Sequence, residues 1–283
     1  MMPLLRWLAR RPLWSLHACG AVLGWLAYAL SPSYRALLRE NAARAGVSVA
    51  ERRASVAEAG RMVAELPRLW LRPRGRAIED PVHWEGETLL ERLLDENRGL
   101  VLLTPHMGSF EVAAQAYAQK YGARQPMTVL YRPARKPWLR TLEETARARP
   151  ALATAPATLP GVRQMLRALK RGETLGLLPD QVPPEGQGVW APFFGRPAYT
   201  MTLAARLVRQ TGAAIAVAWC ERLPRGRGYV VRVLPLAEPL PAIPAGDEAD
   251  AAVINRALEG VIRQRPAQYL WGYARYKPPR VYT

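Results

Sequence analysis

The chain is poor in the residues from which metal centres and covalent active sites are usually built. Two cysteines in 283 residues, Cys19 and Cys220, make neither a disulfide framework nor a thiolate metal site. Three histidines, His17, His83 and His106, are too scattered to form a ligand set, so no metal is expected. No G-x-S-x-G nucleophile elbow is present, and Cys220 sits in an apolar, strand-like run. No internal repeat or low-complexity tract appears. Lysine is also scarce: four lysines stand beside 36 arginines. Basic residues nonetheless exceed acidic ones, 40 to 23, and the net charge of +17 calls for an anionic partner: phosphate, nucleic acid or acidic lipid. Nucleic acid fits poorly, because no RNA-binding aromatic signature and no basic recognition helix stand out.

What is present begins with an uncharged stretch from Pro12 to Leu30. As a helix it would be about 28 Å long, enough to cross a hydrocarbon core or to lie in the interface. Trp7, Trp14, Trp25, Tyr28 and Tyr34 supply rings of the kind that anchor at headgroup level. Arginines at both ends give no orientation. Arg10-Arg11 ahead of the run and Ala27-Tyr28-Ala29 at its end imitate a secretion signal. The reading adopted is a retained anchor over residues 1–34, followed by a single domain over 35–283.

Residues 35–70 read as helix, closed by Pro67, Pro73 and Gly75. From "VHWEG" onward, helices and strands alternate. "GETLLERLLDEN", "FEVAAQAYAQKY", "PGVRQMLRALKRG" and "TLAARLVRQTG" carry helical stripes. "GLVLLTP", "MTVLYRP", "TLGLLPD", "AAIAVAWCERL" and "GYVVRVLPL" are apolar runs of buried-strand type, and a last helix should start near Asp247. This is an α/β fold, a sheet covered by helices.

Within it, "LLTPHMGSFE" (102–111) places His106 just past a strand and Glu111 in the first turn of the next helix, with Ser109 as N-cap. A bland alternative makes Glu111 a helix-dipole residue and His106 a loop residue. The chemical alternative folds the two together: a carboxylate holds one imidazole nitrogen as donor and leaves the other as base. A histidine base without a protein nucleophile points to a hydroxyl on the substrate, the chemistry of direct acyl transfer. Backbone N–H groups at the start of the 109–121 helix are candidate donors to the developing oxyanion.

A second cluster, "LLPDQVPPEGQGVWAPFFGRPAYT" (177–200), puts Asp180 and Gln181 after a strand's carboxyl end, where α/β folds bind ligands. The remainder reads as a long Pro/Gly-rich turn. In it Trp190, Phe193 and Phe194 must plug a core edge or line an alkyl-chain channel. In "YRPAR", Arg132 and Arg135 are able to meet phosphate, although solvation suffices for Arg135.

Together "HMGSFE", "YRP", "LLPDQ", "PFFGRPAYT" and "PAQYLWGYARYK" resemble the late lipid A (lauroyl/myristoyl) acyltransferases, within the glycerolipid-type H-x4-D/E superfamily. The resemblance implies a central mixed sheet flanked by helices. It implies transfer of a fatty acyl chain from acyl carrier protein to a lipid A precursor hydroxyl, at the cytoplasmic face of the inner membrane and without a cofactor. On it, His106 is the general base, Glu111 its orienting partner, and Arg132, Asp180 and Gln181 shape the substrate site; Phe193 and Phe194 are taken as substrate-binding. "WGYARYK" departs from the family's more basic tail, which leaves Arg275 and Lys277 without an assigned role. The resemblance extends to acyltransferases that use acyl-CoA on phosphoinositol mannosides, so that acceptor, a lysophospholipid and a non-catalytic lipid-binding role stand as alternatives.

Overall fold

The computed structural model describes residues 2–73, 75–131, 149–241 and 246–280; Arg132 and Arg135 lie outside the described residues. Four helices come first: α1 (Met2–Ala9), α2 (Leu13–Leu30), α3 (Pro32–Arg44) and α4 (Val49–Trp70). Then come β1 (Val82–Glu85), α5 (Glu87–Asp95), β2 (Leu100–Leu103), α6 (Phe110–Tyr121), β3 (Met127–Tyr131) and β4 (Leu152–Pro156). The chain continues with α7 (Leu159–Lys170), β5 (Thr174–Leu177), β6 (Gly188–Phe193), β7 (Arg196–Met201) and α8 (Leu203–Thr211). It closes with β8 (Ala214–Arg222), β9 (Tyr229–Pro235) and α9 (Asp247–Gln264).

Seven strands form one mixed sheet in the order β1-β9-β8-β2-β5-β3-β4, parallel throughout except for the antiparallel β8/β9 pair. All four residues of β2, Leu100 to Leu103, are buried, as are all four of β5. Unbroken apolar runs of this kind belong to strands covered on both faces. The core fills both sides: Leu90, Leu94 and Tyr117 lie on one, Met165, Leu258 and Ile262 on the other.

The helical stretch expected over 35–70 is two helices. Ser48 interrupts it as the N-cap of α4, its Oγ accepting from the Glu51 N–H at 3.2 Å and its hydroxyl donating to the Glu51 carboxylate at 2.9 Å. Pro67 does not stop α4 but sits in its last turn. The irregular stretch expected over 177–200 contains a hairpin, β6 and β7, joined by Phe194 and Gly195 at φ of 46° and 74°. Two successive left-handed residues are what a tight two-residue hairpin turn requires.

Helix α2 is long and apolar enough to cross a membrane by length and composition. One side of it packs on α4 through glycines: a Cβ on Gly60 would meet the Gly20 carbonyl oxygen at 1.9 Å, and one on Gly24 the Val56 oxygen at 2.3 Å. Small residues four apart allow such backbone approach. The other side leaves Trp14, Val22, Leu23, Trp25, Leu26 and Leu30 exposed.

Candidate active site

Strands β2 and β5 are parallel neighbours, with Leu103 opposite Leu177. His106 lies three residues beyond the first and Asp180 three beyond the second, so the register alone brings them together at the carboxyl edge of the sheet. The His106 ring Nδ1 is 2.7 Å from Asp180 Oδ1, and the His106 backbone N–H donates to Oδ2 at 2.9 Å. Asp180 is sealed at 1% exposure, whereas the His106 side chain is 18% exposed. The carboxylate is thus fixed inside while the imidazole edge faces outward.

Burial alone would raise the Asp180 pKa, but the His106 ring, its two hydrogen bonds and the nearby Arg275 guanidinium outweigh that and hold it below the usual carboxylate value. The Tyr269 phenol lies near Asp180, and burial first, then this carboxylate, push it well up. An ionised Asp180 makes Nδ1 the donor and leaves Nε2 as the basic nitrogen.

The loop carrying His106 is pinned along its backbone. The Leu270 N–H donates to the His106 carbonyl, the Gly108 N–H to Gln268, and the Ser109 N–H to Cys220. Gly108 has φ of +58°, and a Cβ there would meet the Cys220 carbonyl oxygen at 2.0 Å. Only glycine fits this crossing.

Ser109 does not cap α6 with its side chain, as the sequence led us to expect. Its hydroxyl instead donates to Glu65 Oε1 at 2.6 Å. Glu65, 1% exposed on α4, is a buried hub: Arg222 reaches its two oxygens at 2.8 and 3.0 Å, and His17 of α2 lies at 3.2 Å. Burial would raise the Glu65 pKa, but Arg222, His17 and Ser109 carry it down to about 2. The same Arg222 donates to the Gly108 carbonyl at 3.0 Å. One ionic cluster therefore ties the loop that carries His106 to α4 and to the apolar helix α2.

Glu111 stands in the first turn of α6, half-buried, as its sequence position implied. The partner described on His106 Nδ1 is Asp180, not Glu111; the i, i+5 spacing is local, whereas the β2/β5 register is a long-range constraint that delivers the aspartate to the ring. The Ser109 N–H, a candidate oxyanion donor, is already spent on Cys220. Gln181 follows Asp180 and is half-buried. Phe193 and Phe194 are 2% and 7% exposed and stack edge-on at 4.8 Å, with Phe194 against Trp271. They plug the core rather than line a channel, and their hairpin gives the reason: its tight turn drives both rings inward over α9. Burial pushes the Cys220 thiol well up, so it is no nucleophile.

The apolar space lies elsewhere. A narrow slot between α6 and the sheet, with a cavity volume of about 40 Å³, is lined by Thr104, Phe110, Ala113, Tyr117, Val129 and Gly176 among others. Phe110 sits edge-on to the His106 ring at 5.1 Å, so the slot starts beside the imidazole.

Sequence reasoning left Arg275 without a role. Buried at 3% exposure, it donates to the Tyr199 carbonyl and the Thr200 hydroxyl, both at 2.7 Å, and lies close enough to Asp180 to favour its ionised form. The string "PAQYLWGYARYK" was the available signal, since it brings Tyr269 and Arg275 to this one carboxylate. Lys277 lies over the Tyr273 ring at 4.6 Å.

Residues 2–278 match the family model described as bacterial lipid A biosynthesis acyltransferase. The chain is 29% identical over 199 residues to the lipid A biosynthesis lauroyltransferase of Escherichia coli (strain K12), covering 69% of this chain and 62% of that protein. It is 28% identical over 235 residues to the lipid A biosynthesis palmitoleoyltransferase of the same organism, covering 81% of this chain and 74% of that one. A lipid A biosynthesis acyltransferase of Shigella flexneri matches to the same extent. With nearly its whole described length matched and a histidine–carboxylate pair at the sheet's carboxyl edge, the chain belongs to the bacterial lipid A biosynthesis acyltransferase family.

Proposed function

We propose that the protein transfers a fatty acyl chain from an acyl carrier protein thioester to a hydroxyl of a lipid A precursor. The observation that carries this reading is the His106–Asp180 pair, with a sealed carboxylate, an outward imidazole and an apolar slot starting at the ring. His106 Nε2 takes the proton of the acceptor hydroxyl as its oxygen attacks the thioester carbonyl. Asp180 holds the ring and stabilises the imidazolium. Collapse expels the carrier thiolate, which takes the proton back from the imidazolium. The positive end of α6, beside the ring through Phe110, favours the oxyanion as it forms. The alkyl chain enters the slot, which must widen from its present volume to hold a whole chain.

Membrane seating is supported by the exposed face of α2. Its opposite face is engaged by α4 through Gly20 and Gly24, and its His17 is buried on Glu65. A helix so attached to a charged partner is suited to lie in one leaflet with Trp14, Trp25 and Leu26 inserted, rather than to span alone. The cytoplasmic face of the inner membrane is the compartment that supplies both carrier protein and precursor.

The test is acyl transfer by detergent-purified protein, given lauroyl or myristoyl acyl carrier protein and a tetra-acylated lipid A precursor. A product heavier by one acyl chain is expected. Transfer only from acyl-CoA to a lysophospholipid or a phosphoinositol mannoside would reassign donor and acceptor. Folded protein inactive with every pair would favour a lipid-binding role.

A further inference from the structure

A second cavity, of about 520 Å³, is bounded by α1, the end of α4 and the segment that follows it. Five arginines line it, Arg6, Arg10, Arg68, Arg72 and Arg76, against two carboxylates, Glu79 and Asp80. Those carboxylates are committed: Asp80 grips Arg68 at 2.7 and 3.2 Å, and Glu79 lies 3.5 Å from both Arg68 and Arg76. Among the described residues the Arg72 side chain bonds only to a neutral group, donating to Gln115 of α6 at 2.8 Å, and its buried Nε has no hydrogen-bond partner; Glu79 and Asp80 act on it through their field alone. Arg6 on α1 and Arg10 in the turn just after it are exposed, with no side-chain ion pair among the described residues.

Arg149 crowds the same corner, donating to the carbonyls of Leu69, Trp70, Arg72 and Pro73. It serves the negative end of α4 and adds its own positive charge to the corner. Burial, and then the field of Arg149, lower the Arg72 pKa to about 10. A half-buried guanidinium with no carboxylate bonded to it among the described residues, held beside another cation, is costly unless an anion joins it.

Position narrows the class of anion. The cavity is walled by α1, whose Leu4 and Trp7 are 60% and 55% exposed, and Trp14 in the first turn of α2 is 62% exposed. Amphipathic rings and arginines mixed at one edge match the level of lipid headgroups. Planar guanidinium forks suit phosphate oxygens, and the volume admits phosphate together with the sugar or glycerol that bears it. We propose that this cavity is a phosphate site for an amphiphile in the leaflet, with Arg72 and Arg10 as its principal ligands.

Two sources share that chemistry, a bilayer phospholipid and the acceptor glycolipid itself, and two assays separate them. The first is sedimentation of full-length protein with phosphatidylcholine vesicles, with and without about 20% phosphatidic acid. Its control is the charge-matched double variant Arg53→Gln/Arg163→Gln, two exposed arginines away from the cavity. The second is the acceptor KM in detergent, with intact and dephosphorylated precursor; only this assay rests on the acyl transfer proposed above.

Arg10→Gln/Arg72→Gln is expected to lose at least tenfold in one of the two, well beyond the control. Loss of phosphatidic acid preference at unchanged KM identifies a bilayer lipid. A raised KM for the phosphorylated acceptor alone, at unchanged kcat, identifies the acceptor. Arg10→Gln, on an exposed residue, keeps the test valid should Arg72→Gln unfold. Variants that match the charge control in both assays overturn the proposal; if no acyl transfer is found, an unchanged phosphatidic acid preference in the vesicle assay overturns it alone.

Discussion

The Asp180 carboxylate accepts from both the ring and the backbone of His106, at 2.7 and 2.9 Å, so one buried acid fixes the position and the proton of one imidazole. Each residue stands three positions beyond one of two paired strands, and the pairing itself aligns them. The orientation of the imidazole is therefore a property of the sheet.

This predicts a signature for Asp180→Asn. An amide in place of the acid permits the wrong tautomer, so kcat should fall by roughly 10²–10⁴-fold with the acceptor KM little changed. Glu111→Gln is the comparison. Should Glu111→Gln give that kcat-only loss and Asp180→Asn stay near wild type, the orienting role belongs to the helix carboxylate.

Much of this site is readable in the sequence, and the unreadable parts share a cause. His106 and Asp180 each follow an apolar strand and a proline, which marks both as edge residues in "LLTPH" and "LLPD". Their pairing depends on β2 lying beside β5, which no local pattern encodes. Ser109 reads as a cap because capping is local, yet its hydroxyl is claimed by Glu65 from 44 residues upstream. The β6/β7 hairpin is hidden by Pro192 and Pro197, which sit opposite each other and argue against strands. Strand β4, short and rich in alanine, lies at the sheet edge and carries little apolar signal.

Glu65→Gln should be severely destabilising. It leaves Arg222 buried among weakened partners, and breaking a buried pair in this way costs about 3–5 kcal/mol. Urea unfolding of detergent-solubilised protein measures it; a change under about 1 kcal/mol would show the cluster to be dispensable.

The same residue sets a pH dependence. Its pKa in the folded protein, about 2, lies below the ordinary 4.5. The stability from ionised Glu65 is therefore complete above pH 4.5 and is lost as pH falls from there toward 2. The difference in unfolding free energy between wild type and Glu65→Gln should shrink across that interval. A difference constant from pH 6 to pH 3 would contradict the assignment.

Ala113→Leu tests the slot. Extra methylenes beside Phe110 should shorten usable space, lowering kcat/KM for a myristoyl donor by at least about tenfold more than for a decanoyl donor, each tenfold being about 1.4 kcal/mol. Equal losses for both donors would place the chain elsewhere.

Gly108→Ala should displace the catalytic loop, since its Cβ would fall 2.0 Å from the Cys220 carbonyl oxygen. Transfer activity is expected to drop by more than about 10²-fold, the scale of a 1 Å misplacement. Activity close to wild type would mean the loop relaxes without moving His106.

The most direct test is His106→Ala in the acyl transfer assay, with unchanged circular dichroism as the criterion of folding. Wild type should give a product heavier by one acyl chain and the variant none above background. A folded His106→Ala protein within tenfold of wild type would show that the imidazole is not the base.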